Sequence, residues 1–342
     1  MTTEIHRDAP VFDATLEGVA ALAGVSRSTA SRVINGSPHV TTQVVTRVNE
    51  AIARLGYVPN RTARSLVRGR TQTIAMVIPE RTAEFFSDPY FAEVIQGAAM
   101  YASTTDYQLT LLIESESDPD KTFRFLRKGN VDGALILSHY SSSSAYLDLA
   151  RSLPVVFGVR PPVDADADIV IVDVDNVVAG ALATRHLIDR GRTRIATIAG
   201  PLTTVAGRDR LDGWRGALEA AGLDDDLVEE GDYTPASGAE AARRLLDRGV
   251  AVDGLVVGSA QMASGALGVL RDAGLAVPAD IAVATIDDNS FAMTSSPPLT
   301  TVDLHTSEKG AAMVEALLGL VTEGVVRTST RIAVDLVVRA SS

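Results

Sequence analysis

Hydrophobic positions divide the chain into a short helical head and a longer segment of a different pattern. In the head, apolar residues recur at helical spacing in three segments, residues 16–23, 27–34 and from 41 or 42 to 55. Thr15 and Ser26 stand at expected helix N-caps, and Gly56 ends the third segment. The pattern predicts three helices within residues 15–58, preceded by a structureless tail at 1–14.

From residue 73 onward, short apolar runs alternate with amphipathic stretches. The alternation predicts parallel sheets covered by helices on both faces. The helices are predicted at 89–103, 120–128, 143–152, 176–190, 206–221, 236–248, 261–273 and 306–322. The phrase VDGALI at 131–136 recurs as VDGLVV at 252–257. We therefore expect two similar α/β lobes, with a boundary near 160–175 and ligand space between them.

Composition narrows the class of protein. The 342 residues are 46% hydrophobic and 22% charged, which is typical of a globular protein. Cysteine is absent, which excludes disulfide scaffolds, thiolate metal sites and a cysteine nucleophile. No apolar run approaches the length of a membrane span, and the first residues lack the apolar stretch of a signal peptide. We expect a cytoplasmic protein.

Charge is distributed unevenly along the chain. The net charge is −12, which by itself disfavours a nucleic-acid partner. Residues 15–70, however, carry eight arginines against two acidic residues, whereas residues 71–342 carry 22 basic against 38 acidic residues. A basic head on an acidic body predicts that the head alone contacts nucleic acid.

The first two predicted helices fit a helix-turn-helix. The second would present basic and hydroxyl side chains to the major groove, namely Arg27, Ser28, Thr29, Ser31 and Arg32. Arg32 suits a bidentate contact to guanine, and Ser26 and Ser31 suit phosphate contacts. From these residues alone, an ordinary helical bundle with a solvated arginine face remains an alternative.

Longer motifs resemble a known family. TLEGVAALAGVSRSTASRVING at 15–36 and VNEAIARLGYVPNRTARSLVRGRT at 48–71 look like the DNA-binding head and hinge of LacI-family (lactose-repressor-type) regulators. In the body, IAGPLTTVAGRDRLDGW, GDYTPASG and PPLTTV occur in the family's order. The resemblance implies an N-terminal all-α helix-turn-helix head plus a hinge helix. It also implies an α/β periplasmic-binding-protein-like body of two doubly wound parallel-sheet lobes.

The resemblance implies three functional segments after the tail. These are a helix-turn-helix DNA-binding domain at 15–58, a hinge at 59–71, and an effector-binding and dimerisation domain at 72–342. Within the last, the chain is expected to cross between the lobes near 160–175 and again near 290–305.

The resemblance also implies which head and hinge residues contact DNA. They are Thr15, Leu16, Ser26, Arg27, Ser28, Thr29, Ser31, Arg32, Asn35, His39, Tyr57, Asn60, Arg64 and Leu66. Leu66 matches the leucine that wedges into the minor groove at the operator centre. An exposed leucine among arginines suits that role, because a base step can receive its apolar side chain.

Six body residues are implied in effector binding. Arg208 resembles the arginine that grips ligand hydroxyls, and Asp287 matches a carboxylate that accepts them. Tyr233 stands where the family places an aromatic platform for a sugar ring. The first-lobe aromatics Phe85, Tyr90 and Phe91 resemble a loop that closes on ligand. For each aromatic residue, core packing remains an alternative.

Three positions depart from the sugar-binding pattern of the family. Gly158 replaces an aspartate, Ser259-Ala260 replaces an Asn-Asp pair, and Leu304 replaces a glutamine. The departures disfavour a monosaccharide held by many hydrogen bonds. A larger saccharide bound partly by stacking, or a different ligand, fits better.

We therefore expect a homodimeric repressor in the cytoplasm, associated with the nucleoid. It would bind double-stranded DNA at a palindromic operator and release it when a small-molecule effector, expected to be a saccharide, binds between the lobes. The five histidines show no metal-ligand spacing, and phosphate-binding loops and a nucleophile elbow are missing. We thus expect no metal, cofactor, enzymatic activity or membrane partner. The alternative is a ligand-binding protein that has lost its effector response or binds a ligand other than sugar.

Overall fold

The computed structural model describes residues 14–37, 39–58, 70–79, 82–114, 118, 120–138, 144–160, 169–324 and 329–342. The chain forms two compact units, Met1–Thr71 and Gln72–Ser342, here called the head and the body. The predicted hinge contacts Asn60, Arg64 and Leu66 lie outside the described residues.

The head contains three described helices, α1 (Leu16–Ala23), α2 (Arg27–Ile34) and α3 (Thr42–Leu55). The caps act locally: Thr15 Oγ1 accepts a hydrogen bond from the backbone N–H of Gly18 at 3.1 Å, and Ser26 Oγ accepts one from Thr29 at 3.1 Å. Gly24 adopts a left-handed conformation, φ 63°, which a glycine adopts without steric cost, and this makes the tight turn between α1 and α2. The three predicted helices are confirmed.

The body contains twelve described strands. In chain order they are β1 (Thr73–Ile78), β2 (Gln108–Ile113), β3 (Gly133–Ile136), β4 (Val155–Phe157), β5 (Val170–Val174), β6 (Ile195–Ala199), β7 (Val228–Glu230), β8 (Gly254–Val257), β9 (Ala282–Ile286), β10 (Thr300–Asp303), β11 (Thr330–Ile332) and β12 (Asp335–Val337). They form two six-stranded sheets, β11-β5-β4-β3-β1-β2 and β12-β10-β9-β8-β6-β7.

The described helices of the body cover both faces of these sheets. They are α4 (Thr82–Ser87), α5 (Pro89–Ser103), α6 (Asp120–Arg127), α7 (Ser144–Ala150), α8 (Asn176–Asp189), α9 (Val205–Ala221), α10 (Pro235–Asp247), α11 (Ala260–Asp272), α12 (Ser290–Thr294) and α13 (Thr306–Glu323). Separate apolar cores lie on the two sides of each sheet. Among the described residues, no helix combines the length and hydropathy that a membrane crossing needs.

Both lobes repeat one topology. The first five strands of each sheet have the order 2-1-3-4-5, the doubly wound arrangement predicted from the alternating pattern. The repeated sequence phrase forms the third strand of each lobe, β3 and β8, and the predicted duplication is confirmed. Of the paired strands, only β10 and β12 run antiparallel in the described part of the chain.

In the described residues the chain passes between the lobes three times. The first passage lies at 174–176, between β5 and α8, and the second lies at 303–306, between β10 and α13. A third lies at 332–335, where the sequence RIAVDLVV splits into β11 in the first sheet and β12 in the second. In the sequence this segment is one apolar run, RIAVDLVV, which by itself predicts one strand, because hydropathy does not show a change of sheet.

Two further features were not predicted. The edge strand β7 contains Glu229 and Glu230, and its polar sequence lacks the apolar run that marked the other strands. The short helices α4 and α12 span fewer than two turns each, too few for a helical repeat to stand out.

Three pairs of helices pack with unusually close backbones, and each pair uses one glycine from each helix. The pairs are α5 with α13 (Gly97 and Gly310), α8 with α9 (Gly180 and Gly213) and α10 with α11 (Gly238 and Gly265). A Cβ on Gly310 would lie 2.0 Å from the carbonyl oxygen of Val94, and one on Gly97 would lie 1.8 Å from that of Ser307. A side chain at these positions would force the helices apart.

We predict that Gly310→Ala destabilises the body by about 1–3 kcal/mol, because its methyl group overlaps the Val94 carbonyl on α5. Gly319→Ala is the matched control on the same helix, because nothing lies within 4 Å of its added Cβ. The control is expected to be neutral or to stabilise by up to about 1 kcal/mol through helix propensity. Urea unfolding of the full chain measures both, and equal unfolding free energies would contradict the close-packing account.

Candidate effector cavity and DNA-binding face

A cavity that is partly open to solvent lies where the two lobes of the body meet. Many of its lining residues follow the carboxyl ends of strands, the usual ligand position in open parallel sheets. The lining residues are Asp88, Tyr90, Ser138, Val159, Asp173, Val174, Asn176, Ala206, Arg210, Tyr233, Ser259, Gln261, Asp287, Leu304 and Lys309.

Arg210 is the cation that the second lobe contributes to the lining of the cavity. Its Nε donates to Asn176 Oδ1 at 2.9 Å, and its Nη1 donates to the carbonyl oxygen of Gly258 at 2.5 Å. The Asp287 carboxylate lies 3.6 Å from Nη2. Asp287 follows β9 with a left-handed φ of 77°, a conformation that aspartate tolerates better than most residues. Burial is the largest single influence and lowers the pKa of Arg210. The Asp287 carboxylate, together with smaller contributions from Tyr233, Tyr90 and Asp88, more than offsets it, so the pKa of Arg210 rises. The guanidinium is therefore a permanent buried cation.

Lys309 is the cation that the first lobe contributes to the lining of the cavity. Its side chain is 2% exposed, and its Nζ donates to Asp173 Oδ1 at 2.9 Å and to the Tyr90 hydroxyl at 3.0 Å. Burial alone would lower the pKa of Lys309, but the Asp173 carboxylate and the Tyr90 phenol together raise it. Because Lys309 lies on α13 and Asp173 on β5, the ion pair is complete within the first lobe.

Two polar contacts span the lobes beside these ion pairs. Gln261 Nε2, on α11, donates to Asp88 Oδ1 at 2.9 Å, and Asp88 is the N-cap of α5 in the first lobe. Arg160, after β4, donates from Nη2 to both carboxylate oxygens of Asp209 on α9, each at 3.0 Å. The Arg160 side chain is 52% exposed, so this pair contributes at most about 1 kcal/mol.

Glu93, on α5, is a carboxylic acid near the lobe junction whose pKa is strongly raised. Burial and the nearby Asp287 carboxylate raise the pKa of Glu93 to about 7, and a hydrogen bond with Thr306 only partly offsets this. Asp287 belongs to the second lobe and Glu93 to the first. At neutral pH, ionisation of Glu93 therefore introduces like-charge repulsion between the lobes.

Three of the six predicted effector residues, Tyr90, Tyr233 and Asp287, line the cavity. Tyr233 adopts φ 70°, and its ring lies so close to Gly200 that a Cβ there would be 2.5 Å from the Tyr233 hydroxyl. Phe85 and Phe91 instead form an edge-to-face pair in the first-lobe core, with ring centroids 5.5 Å apart, and do not line the cavity. Core packing, the alternative kept open for the aromatics, describes these two.

The structure brings Arg210 rather than Arg208 into the cavity. Arg208 is exposed, and its Nη1 donates to the carbonyl oxygen of Leu202 at 2.7 Å. Side chains two positions apart on an α-helix point in directions about 200° apart, so only one of the two arginines can face the lobe junction. Arg210 lies three and four residues before the buried Gly213 and Trp214, and this periodicity marks the buried face. That signal was present in the sequence.

Lys309, Asp173, Asn176, Gln261 and Asp88 were also missed as cavity residues. Lys309 stands four residues before the buried Met313, on the apolar face of α13, where a lysine is unusual. At Gly158, where the sequence departs from the family pattern, a Cβ would lie 3.0 Å from Met313 Cε, a tight contact that a small shift of the flexible methionine side chain would relieve. Ser259 caps α11, and Leu304 gives the cavity an apolar wall.

The predicted DNA-binding residues of the head that are described lie on and around α2. Arg27, Ser28 and Arg32 are exposed, whereas Thr29 and Ser31 are half-buried. Arg27 pairs with Glu17 on α1 at 2.7 Å, and Asn35 Nδ2 donates to Ser31 Oγ at 3.3 Å.

The remaining predicted contacts differ in exposure. Thr15 and Ser26 are exposed N-caps, and His39 is exposed. Leu16 and Tyr57 pack partly against the head core. Of the exposed residues, Arg27 and Ser28 lie in the first turn of α2 and Arg32 lies in its last turn. Among the described residues, no cluster of histidine and carboxylate side chains could hold a metal ion.

A helix-turn-helix head joined to a two-lobed α/β body defines a class, the transcriptional regulators with a periplasmic-binding-protein-like body. Residues 15–60 match the family described as bacterial regulatory proteins, lacI family, and residues 184–342 match a periplasmic binding protein-like domain. The chain is 42% identical over 312 residues to the HTH-type transcriptional regulator CelR of Thermobifida fusca, covering 90% of this chain and 92% of that protein.

Solved structures give the same result. A transcriptional regulator CelR–cellobiose complex shares 40% identity with a TM-score of 0.75, covering 96% of this chain and 99% of that one. The lac repressor dimer bound to operator and the anti-inducer ONPF shares 28% identity with a TM-score of 0.84, covering 97% and 99%. The chain belongs to the lacI family of bacterial regulatory proteins. It is a DNA-binding transcriptional regulator and not an enzyme.

We predict that the free energy of unfolding depends on pH because of Glu93. Between about pH 4.5 and 7 the folded state keeps a proton that the unfolded state has released, so the unfolding free energy falls as pH rises through this window. Glu93→Gln removes that slope, and Glu240→Gln, at an exposed position, is the control. Denaturant unfolding at a series of pH values measures the difference between each variant and the parent. Parallel profiles for the parent protein and Glu93→Gln would contradict the assignment.

Proposed function

We propose that the protein is a repressor that binds a palindromic operator as a homodimer and releases it when a neutral saccharide enters the cavity of the body. The observation that carries the proposal is the charge pairing in the cavity. Arg210 and Lys309 are both buried, and each is compensated by a carboxylate of its own lobe, Asp287 and Asp173.

Charge pairing favours a neutral ligand over an anion. A phosphate or carboxylate ligand would have to displace Asp287 or Asp173 or lie against them, with the cost of like charges at close range. A sugar brings hydroxyl groups, which both donate and accept, and these suit the fixed carboxylates, the Arg210 fork and the Gln261 amide. The rings of Tyr90 and Tyr233 at the cavity wall supply apolar faces for a pyranose.

The choice of a disaccharide as the effector to test rests on a relative of this chain. A CelR structure is a complex with cellobiose, and its chain is 40% identical to this one. We therefore take cellobiose as the first effector to test. We also reassign the predicted hydroxyl-gripping role of Arg208 to Arg210.

For the operator, we propose that α2 enters the major groove. Arg27 and Ser28, in its first turn, and Arg32, in its last turn, are exposed. Two heads in a homodimer would read half-sites about one DNA turn apart. Residues 59–71 would serve as the hinge, and residues 72–342 as the effector-binding and dimerisation domain. Such a regulator works in the cytoplasm, on the nucleoid.

We predict that Arg32→Ala strongly weakens operator binding. Loss of one bidentate contact per head costs about 1–3 kcal/mol, so a dimer loses about 2–6 kcal/mol, which is roughly 30-fold to 20,000-fold in affinity. Arg54→Ala is the matched control, because Arg54 is an exposed arginine of the same head but lies on α3. The operator is first isolated by capture of host genomic fragments on the purified protein, and affinity is then measured by fluorescence anisotropy. Equal affinity of Arg32→Ala and Arg54→Ala would contradict the docking proposal.

We also predict that Arg210→Met keeps operator binding but loses release by cellobiose, because the ligand loses its guanidinium fork. Arg208→Met, two residues away on the same helix, should release the operator as the parent protein does, because its side chain points outward. Anisotropy of operator DNA during a cellobiose titration separates the two. A defect in Arg208→Met with normal release in Arg210→Met would restore the original assignment.

A further inference from the structure

Lys309 has an unsatisfied donor in the cavity. An ammonium group has three N–H donors, and two of them are used by Asp173 Oδ1 and the Tyr90 hydroxyl, at 2.9 and 3.0 Å. Within the described part of the chain, no acceptor meets the third donor. The group lines the cavity and is 2% exposed, so bulk water is largely excluded from it.

The two protein partners also fix where the ammonium group lies. Asp173 Oδ1 additionally accepts from the backbone N–H of Val174 at 2.8 Å, which restrains the carboxylate. The Tyr90 ring lies 5.4 Å from Nζ, and the backbone N–H of Tyr90 donates to Asp88 Oδ1 at 3.0 Å. Lys309 is thus held from both sides, and its remaining donor is preorganised rather than free to swing.

We propose that Lys309 is a specificity-determining residue of the effector site and donates its third N–H to one oxygen of the ligand. The proposal rests on the proposed saccharide function of the cavity. A buried charged donor that lacks an acceptor is costly, so the site discriminates against ligands that present a hydrogen or an apolar group there. The cavity therefore demands an oxygen acceptor against the first lobe, opposite the Arg210 fork of the second.

A purely structural role predicts something different. If Lys309 served only to neutralise Asp173, its replacement would change affinity for all ligands by a similar factor. A donor to one ligand oxygen instead couples to that single position. Comparing ligands that each lack one hydroxyl group therefore separates the two roles.

The test is calorimetric titration of the full chain with cellobiose and with each of its monodeoxy analogues. The variants are Lys309→Met and the double variant Lys309→Met with Asp173→Asn, which leaves no unpaired buried carboxylate. Lys121→Met, at an exposed lysine of the first lobe, is the control. Thermal unfolding establishes that each variant is folded before binding is compared.

In the parent protein and in Lys121→Met, we expect the analogue that lacks the contacted oxygen to bind about ten to a hundred times more weakly than cellobiose. In the double variant that ratio falls to about one, while the ratios at the other hydroxyl positions are unchanged. Unchanged ratios at every position overturn the role of Lys309, even if overall affinity falls. If the parent protein binds no cellobiose at all, the proposed effector fails first and this inference fails with it.

A co-crystal structure of the parent protein with cellobiose tests the proposed contact without any variant. We expect a ligand oxygen about 2.7–3.2 Å from Lys309 Nζ. A bound cellobiose with every oxygen beyond about 4 Å from Nζ overturns the proposal.

Discussion

Two cations are buried where the lobes of the body meet, and each is paired with a carboxylate from its own lobe. Arg210 pairs with Asp287 in the second lobe, and Lys309 pairs with Asp173 in the first. Burying an unpaired charge costs several kcal/mol, so cations that paired across the junction would lock the lobes together. Because the pairing is internal, the lobes can separate without leaving a bare charge. The polar cavity at the junction depends on this arrangement, because each buried charge stays paired within its own lobe.

The contacts that do cross the junction are weaker. Gln261 donates to Asp88, and Arg160 pairs with Asp209 at a partly exposed position. When Glu93 is ionised, its repulsion with Asp287 opposes these contacts. Contacts of this size are ones that a single ligand can offset, since a ligand shifts an equilibrium by its differential affinity for the two states. The cavity residues lie near the passages of the chain between the lobes: Asp173 and Asn176 flank the first, and Lys309 follows the second.

Much of this architecture is encoded locally. The caps Thr15 and Ser26 and the turn at Gly24 set the first two helices, and the repeated phrase VDGALI/VDGLVV marked equivalent strands of the two lobes. What the sequence did not yield depends on contacts between distant segments. The change of sheet between β11 and β12 leaves no trace in hydropathy.

The site was predicted less completely than the fold. Tyr90, Tyr233 and Asp287 were identified, but Phe85 and Phe91 pack in the core. An aromatic side chain gives the same sequence signal in a core and at a ligand. Helical periodicity in the sequence already marks Arg210, rather than Arg208, as the arginine on the buried face of the helix that lines the cavity. A lysine on the apolar face of α13 was an equally readable sign, because an unpaired lysine is rarely buried.

Our proposal requires that occupancy of the cavity and binding of the operator be coupled. The most direct test is a linkage cycle on the parent protein. Operator affinity is measured with and without saturating cellobiose, and cellobiose affinity is measured with and without the operator. We predict that cellobiose weakens operator binding by about 5–150-fold and that the operator weakens cellobiose binding by the same factor, because coupling is reciprocal. Tight cellobiose binding that leaves operator affinity unchanged would contradict the account.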